Sequence, residues 1–278
     1  MKKILVPCDF SEQAVNAFRF ALDIAKNSKG VVHLINVIEL PVMHDTVLMP
    51  VLSFEEALFK EMRETAQKQF TKLNAKFNKD NIKVISKVIF GAPSHMIIDY
   101  AETENMDLIV MGTKGAEGIK EILIGSNTEK IVRRTTIPVM AVKKYVKTSS
   151  IKNIVFPNTL EQNQEELTLK IKALQNFFNA KLHVVWINTP GNFSRDNITR
   201  KRLEEFAKRF MLKDYTLNIF NDPFEESGVI NFTHMIQADM IAMGTHGRKG
   251  LNHIMSGSVA EDVVNHVDCP IWTFSTHK

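Results

Sequence analysis

The chain repeats itself, and that constrains its fold more than any other feature. KKILVPCDFSEQA at 2–14 reads like KNIVFPNTLEQNQ at 152–164, and VVHLINV at 31–37 answers KLHVVWI at 181–187, both at an offset of 150 that aligns His33 with His183. Further on, MDLIVMGTKGAEGIKEILIGSNTEKIVRRTTIPVMAV at 106–142 matches ADMIAMGTHGRKGLNHIMSGSVAEDVVNHVDCPIWTF at 238–274 at an offset of 132. The second copy is therefore about 18 residues shorter somewhere between 188 and 219. A 278-residue chain built this way is expected to form two similar domains, 1–145 and 150–278, each of ordinary single-domain size. KKYVKTSS at 143–150, polar and without periodicity, reads as the linker.

Each copy alternates short β-rich runs with helical patterns. In the first, Ile4 to Val6 is a strand, and Ser11 is placed to cap a helix whose apolar positions Ala14, Ala17, Phe18, Ala21, Leu22 and Ala25 follow the 3.6-residue period. Val31 to Val37 is nearly continuous apolar, as a strand buried on both faces of a parallel sheet must be. A long helix from about Ser53 to Phe77 is expected next, then strand Lys83–Ile89, helix Ser94–Thr103, strand Leu108–Met111, helix Ser126–Arg134 and strand Val139–Val142. Alternation of this kind implies right-handed crossovers and a parallel sheet. The expected fold class is α/β: two tandem five-stranded parallel-sheet sandwiches with helices on both faces.

Composition narrows the function. With 44% hydrophobic and 24% charged residues the chain can build a sizeable core and lies far from the disordered regime. Two cysteines, Cys8 and Cys269, give neither a disulfide framework nor zinc spacing, which points to a reducing compartment. MKKILVPCDF lacks a signal-peptide apolar core, and no stretch approaches the ~20 apolar residues of a membrane span, so a cytoplasmic location without membrane partner is expected. The net charge of +4 is mild, and the densest basic run, RDNITRKR at 195–202, has acidic neighbours; no nucleic-acid partner is expected.

Ligands of parallel α/β sheets bind beyond the carboxyl ends of the strands, where the strand order reverses. There the first copy carries Gly112, Gly115, Gly125 and Ser126, and the second Gly244, Gly247, Gly257 and Ser258, both in the spacing G-x2-G-x9-G-[ST]. Glycine lets the backbone approach a phosphate chain closely, and a helix N-terminus offers it unpaired N–H groups and a positive dipole end. Tight turns and plain helix capping by Ser126 and Ser258 are the structural alternatives. The first strand delivers Pro7 and then Asp9, which can bond a ribose hydroxyl or an adenine amino group, or else cap the helix. Asn158 is taken as the second copy's counterpart of Asp9, keeping a hydrogen-bonding group without the charge.

VPCDFS, HLINV and GTKGAEGIKEILIGS with NTEKIVRRTTIPV resemble the universal stress protein family, and the whole chain resembles its tandem two-domain members, outside the linker and the stretches 38–82 and 188–215. The resemblance implies an adenine nucleotide alpha hydrolase-like fold and a stress-response or signalling module. ATP-binding members carry the same glycine signature, so Gly112, Gly115, Gly125 and Ser126 would hold the phosphates of ATP, with or without Mg2+, while Pro7, Asp9 and Val37 surround the adenosine. In the second copy Gly244, Gly247, Gly257 and Ser258 would do the first, and Pro157, Asn158 and Ile187 the second. Glu117 puts a like charge near the first phosphate site, whereas Arg248 and Lys249 favour an anion at the second. The resemblance also implies pairing through the last strand, here Val139–Val142 beside Ile271–Phe274 in an intrachain pseudo-dimer, with a homodimer as a further option.

Neither GxxxxGK[ST] nor GxGxxG after the first strand is present, so neither a P-loop NTPase nor a Rossmann dehydrogenase is supported. Cys8 lies beside the pocket without a basic partner in sequence and reads as a structural thiol. His246 either touches a phosphate or faces solvent. No paired carboxylates, Ser/His/Asp set or HExxH marks a catalytic centre or metal site, so any ATP hydrolysis would be slow. Three classes stay open: a nucleotide-binding module, an interaction protein whose glycine loops are structural, and a weak ATPase.

Overall fold

The computed structural model describes residues 1–39, 50–113, 126–161, 164–245, 263 and 267–275, with backbone alone at 50–56 and 126. By compactness the chain divides into Met1–Gly112 and Thr113–Lys278.

The first unit runs β1 (Lys3–Pro7), α1 (Glu12–Ser28), β2 (Val31–Ile38), α2 (Pro50–Phe77), β3 (Lys83–Phe90), α3 (Pro93–Thr103) and β4 (Leu108–Gly112). Its strands lie in the order β3-β2-β1-β4, and every pair is parallel. The interior of β1, Ile4 to Val6, is fully buried, as a central strand covered by helices on its faces requires. Ser11 caps α1 as expected, its Oγ accepting from the Ala14 N–H at 3.3 Å, and Lys29 closes the helix in the left-handed conformation.

The second unit contains α4 (Ser126–Arg134), β5 (Val139–Val142), β6 (Asn153–Pro157), α5 (Glu165–Phe178), β7 (Lys181–Asn188), α6 (Asp196–Arg209), β8 (Tyr215–Asn221), α7 (Glu225–Met235), β9 (Met240–Thr245) and β10 (Ile271–Ser275). The order is β5-β10-β9-β6-β7-β8. All neighbours are parallel except β5 and β10, which run antiparallel with Ile271 opposite Ala141 and Thr273 opposite Val139. These are the two strands expected to pair. One core cluster joins Val155, Val185 and Ile241 of the sheet to Val229 and Phe232 of α7, with Ala141 of β5 included.

The copies share details that sequence matching does not display. Asp107 accepts from the backbone N–H groups of Lys2 and Lys3, and Asp239 accepts from those of Lys152 and Asn153, so each copy clamps its first strand to the residue before its fourth. Burial acts to raise the Asp107 pKa, but the two N–H groups and neighbouring positive charge bring it below the ordinary carboxylate value. The paired histidines also correspond. His33 Nδ1 lies 2.9 Å from the Tyr100 hydroxyl, and His183 Nδ1 lies 2.8 Å from Thr216 Oγ1. Burial lowers both histidine pKa values, and both rings are hydrogen-bonded, His33 buried and His183 half-buried.

Candidate functional site

In the first unit the chain leaves β1 for β2 on one side and returns as β4 on the other, with Ile4 opposite Leu108 and Leu5 opposite Ile109. The carboxyl ends of β1 and β4 thus lie side by side where the strand order reverses. Pro7 ends β1 half-buried, and the next N–H, of Cys8, still bonds Ile35 O at 2.7 Å. Asn36 Nδ2 donates to Cys8 O at 2.8 Å and fixes the turn. Asp9 then stands exposed, its Oδ1 accepting from the Ser11 N–H at 3.0 Å and the Ser11 hydroxyl at 2.5 Å, while Phe10 adopts a φ of 65°. Ser11 is the helix cap. Asp9 therefore braces the cap rather than serving as it. Val37 is half-buried near the end of β2. Burial pushes the Cys8 thiol up to about 12, which suits an inert structural cysteine.

Gly112 closes β4, and the first turn of α1 lies directly over it. A Cβ there would fall 2.3 Å from the carbonyl carbon of Gln13 and 2.6 Å from the Ala14 nitrogen, so no other residue fits without moving the helix backbone. The close approach is possible because Ala14 and Ala17, both small and buried, face the sheet. Gly115 and Gly125 lie outside the described residues, as do Glu117 and the side chain of Ser126; Gly247, Gly257 and Ser258, with His246, Arg248 and Lys249, do so in the second copy.

The second copy requires a correction. Asn158, not Thr159, carries the N–H that follows the strand-ending proline and bonds Val185 O at 3.0 Å, as Cys8 does to Ile35 O. The left-handed residue two positions on is Leu160, at φ 57°, matching Phe10. Asn158 is thus the counterpart of Cys8, and Thr159 that of Asp9. Asn158 is buried, its Oδ1 accepting from the Leu160 N–H at 2.6 Å and its Nδ2 donating to Gln164 Oε1 at 2.7 Å. Gln164 Nε2 in turn donates to Thr159 Oγ1 at 3.0 Å. Pro157 and Ile187 are buried too.

Carried through at the offset of 150, the repeat sets Gln164 against Ala14, Leu167 against Ala17 and Trp186 against Asn36. Each second-copy residue is the larger. Leu167 fills the space beside Gly244, where a Cβ would meet Leu167 Cδ2 at 2.7 Å. Trp186 is buried beneath the Arg202 guanidinium, 5.3 Å from its ring centroid, and Arg202 also donates to Leu160 O at 3.3 Å. Gln164, Leu167 and Trp186 belong to no recognised motif, although the repeat at the offset of 150 already contains them.

Residues 1–143 and 225–275 match the universal stress protein family, more than half of the chain. The chain belongs to that family. Among curated relatives, universal stress protein MJ0531 of Methanocaldococcus jannaschii is 32% identical over 51% of this chain and 82% of its own length. Universal stress protein MJ0577 of the same organism is 30% identical over 51% of this chain and 95% of its own. A universal stress protein of Archaeoglobus fulgidus superposes with a TM-score of 0.78 over 99% of this chain and 98% of its own at 22% identity, a likeness of fold. As in that family, the fold is a mixed α/β one with mostly parallel strands and helices around them. No helix among the described residues is long and apolar enough to cross a membrane.

Proposed function

We propose that this universal stress protein family chain is a nucleotide-binding module that takes ATP or a related adenine nucleotide at the carboxyl edge of its first copy. Pro7, Asp9 and Val37 would face the adenosine, and Gly112, Gly115, Gly125 and Ser126 the phosphates. The observation that carries the proposal is the placement of an exposed carboxylate, Asp9, at the switch point beside the strand that leads into the glycine spacing. Asp9 can accept from ribose hydroxyls without losing its Ser11 contacts, because a carboxylate offers about four lone-pair sites. The residues present fit a nucleoside: half-buried Pro7 and Val37 provide apolar flanks and Asp9 a polar one.

Bound nucleotide would stabilise the folded first copy by mass action and so report occupancy to whatever surface depends on it. The pairing of β5 with β10 would supply, within one chain, the edge-to-edge contact that single-domain relatives need a second copy to make. Gly112 alone does not separate this proposal from a purely structural role, since α1 packing already demands it. Calorimetric titration of the full chain with ATP, ADP and AMP decides the matter. Measurable binding that Asp9→Ala weakens supports the proposal, and absence of heat with all three refutes it in favour of an interaction protein.

A further inference from the structure

The structure assigns the two copies different roles: a single adenine nucleotide binds per chain, at the first copy, because the second copy closes its adenosine side with its own side chains. This rests on the nucleotide proposal above.

Four substitutions between matched positions all act in one direction. Asp9 becomes Thr159, which loses the charge and whose hydroxyl is already engaged by Gln164. Ala14 becomes Gln164, whose carboxamide joins Thr159 to the buried Asn158. Ala17 becomes Leu167, which lies against Gly244, and Asn36 becomes Trp186, buried under Arg202. Positions that are exposed or half-buried in the first copy, Pro7, Asp9 and Val37, contrast with buried Pro157 and Ile187 and half-buried Thr159 in the second. A ribose entering there would have to displace Gln164 from both partners and leave the buried Asn158 amide without an acceptor. Among the described residues nothing comparable opposes entry at Asp9, whose contacts to Ser11 lie at the surface. At its strand end the second copy thus ties Asn158, Gln164 and Thr159 to one another. Its glycine spacing is retained without the adenosine half of the site.

The test is the stoichiometry of ATP binding to the full chain by calorimetry, with Asp9→Asn beside Asp9→Ala so that one variant keeps the Ser11 contacts, and circular dichroism to show that both fold. One site per chain is expected, weakened tenfold or more by either substitution. A companion titration uses Trp272→Phe, which leaves Trp186 as the sole tryptophan of the two in the chain. Its emission should stay unchanged at saturating ATP. Two sites per chain, or one site indifferent to Asp9 that quenches Trp186, would overturn single occupancy while leaving nucleotide binding intact. No binding of any adenine nucleotide would overturn the nucleotide proposal and this inference together.

Discussion

Gly112 and Gly244 hold the same place in their repeats, yet they are needed for different reasons. At Gly112 a helix backbone presses on the strand end; at Gly244 the end of a leucine side chain does. The first copy uses small residues, Ala14 and Ala17, to seat its helix closely on the strand end, and Asp9 beside it is exposed. Larger residues in the second copy, Gln164 and Leu167, fill the corresponding place. A duplicated motif can therefore keep its glycines while the packing that requires them changes from helix backbone to side chain.

The sharpest way to break this comparison is to add one methyl group to each glycine. Gly112→Ala should destabilise the chain by about 3 kcal/mol, the upper end of the overpacking range, because backbone rather than a side chain must move. Gly244→Ala should lower stability by less than about 1 kcal/mol, since Leu167 can change rotamer. Urea midpoints of the two variants provide the measurement, and equal losses would show that the copies are packed alike.

A second contrast concerns pH. Glu225, at the start of α7, is buried, and desolvation, helped by Glu226 and opposed by the bond from Asn192 Nδ2, raises its pKa to about 7. Its folded pKa lies above its ordinary value of 4.5, so the native state holds the proton more tightly. Stability should fall as pH rises from about 4.5 to about 7 and then level off, by about 2 kcal/mol. Glu225→Gln should remove that part of the slope, which unfolding curves at several pH values would reveal; an unchanged slope would mean that the carboxyl is ionised throughout.

Smaller effects are expected at the helix starts. Gln164→Ala should lower stability by about 1–2 kcal/mol by leaving the Asn158 amide without its acceptor. Ser11→Ala, which removes the α1 cap, should do so by about 1 kcal/mol. If Ser11→Ala proved the costlier, Gln164 would not be the tie that closes the second copy. Thermal or urea unfolding distinguishes the two.

Much of the fold is legible in local sequence. Continuous apolar runs such as Val31–Val37 mark strands buried on both faces, and Ser11 marks the start of α1, because both signals act within a few residues. The β5–β10 pairing was foreseeable from the repeat and the family together. Matching Asn158 to Asp9 pairs a polar group with a polar group but departs from the offset of 150, which already sets Asp9 against Thr159; the backbone hydrogen bond to β7 agrees with the offset. Gln164 and Trp186 are less legible because neither belongs to a motif: Gln164 acts through Asn158 and Thr159 in the preceding turn, and Trp186 through Arg202 of α6.

Sequence alone determined the duplication, the strand–helix alternation and the arrival of glycine at the end of each fourth strand, since periodicity and turn chemistry are properties of neighbouring residues. Only the tertiary structure decided that Asp9 stands exposed while Pro157, Asn158 and Ile187 are buried. That outcome is set by side-chain volume and by partners that local periodicity does not reveal: Gln164 bonds Asn158 across the turn before α5, and Arg202 reaches both Trp186 and Leu160 from α6.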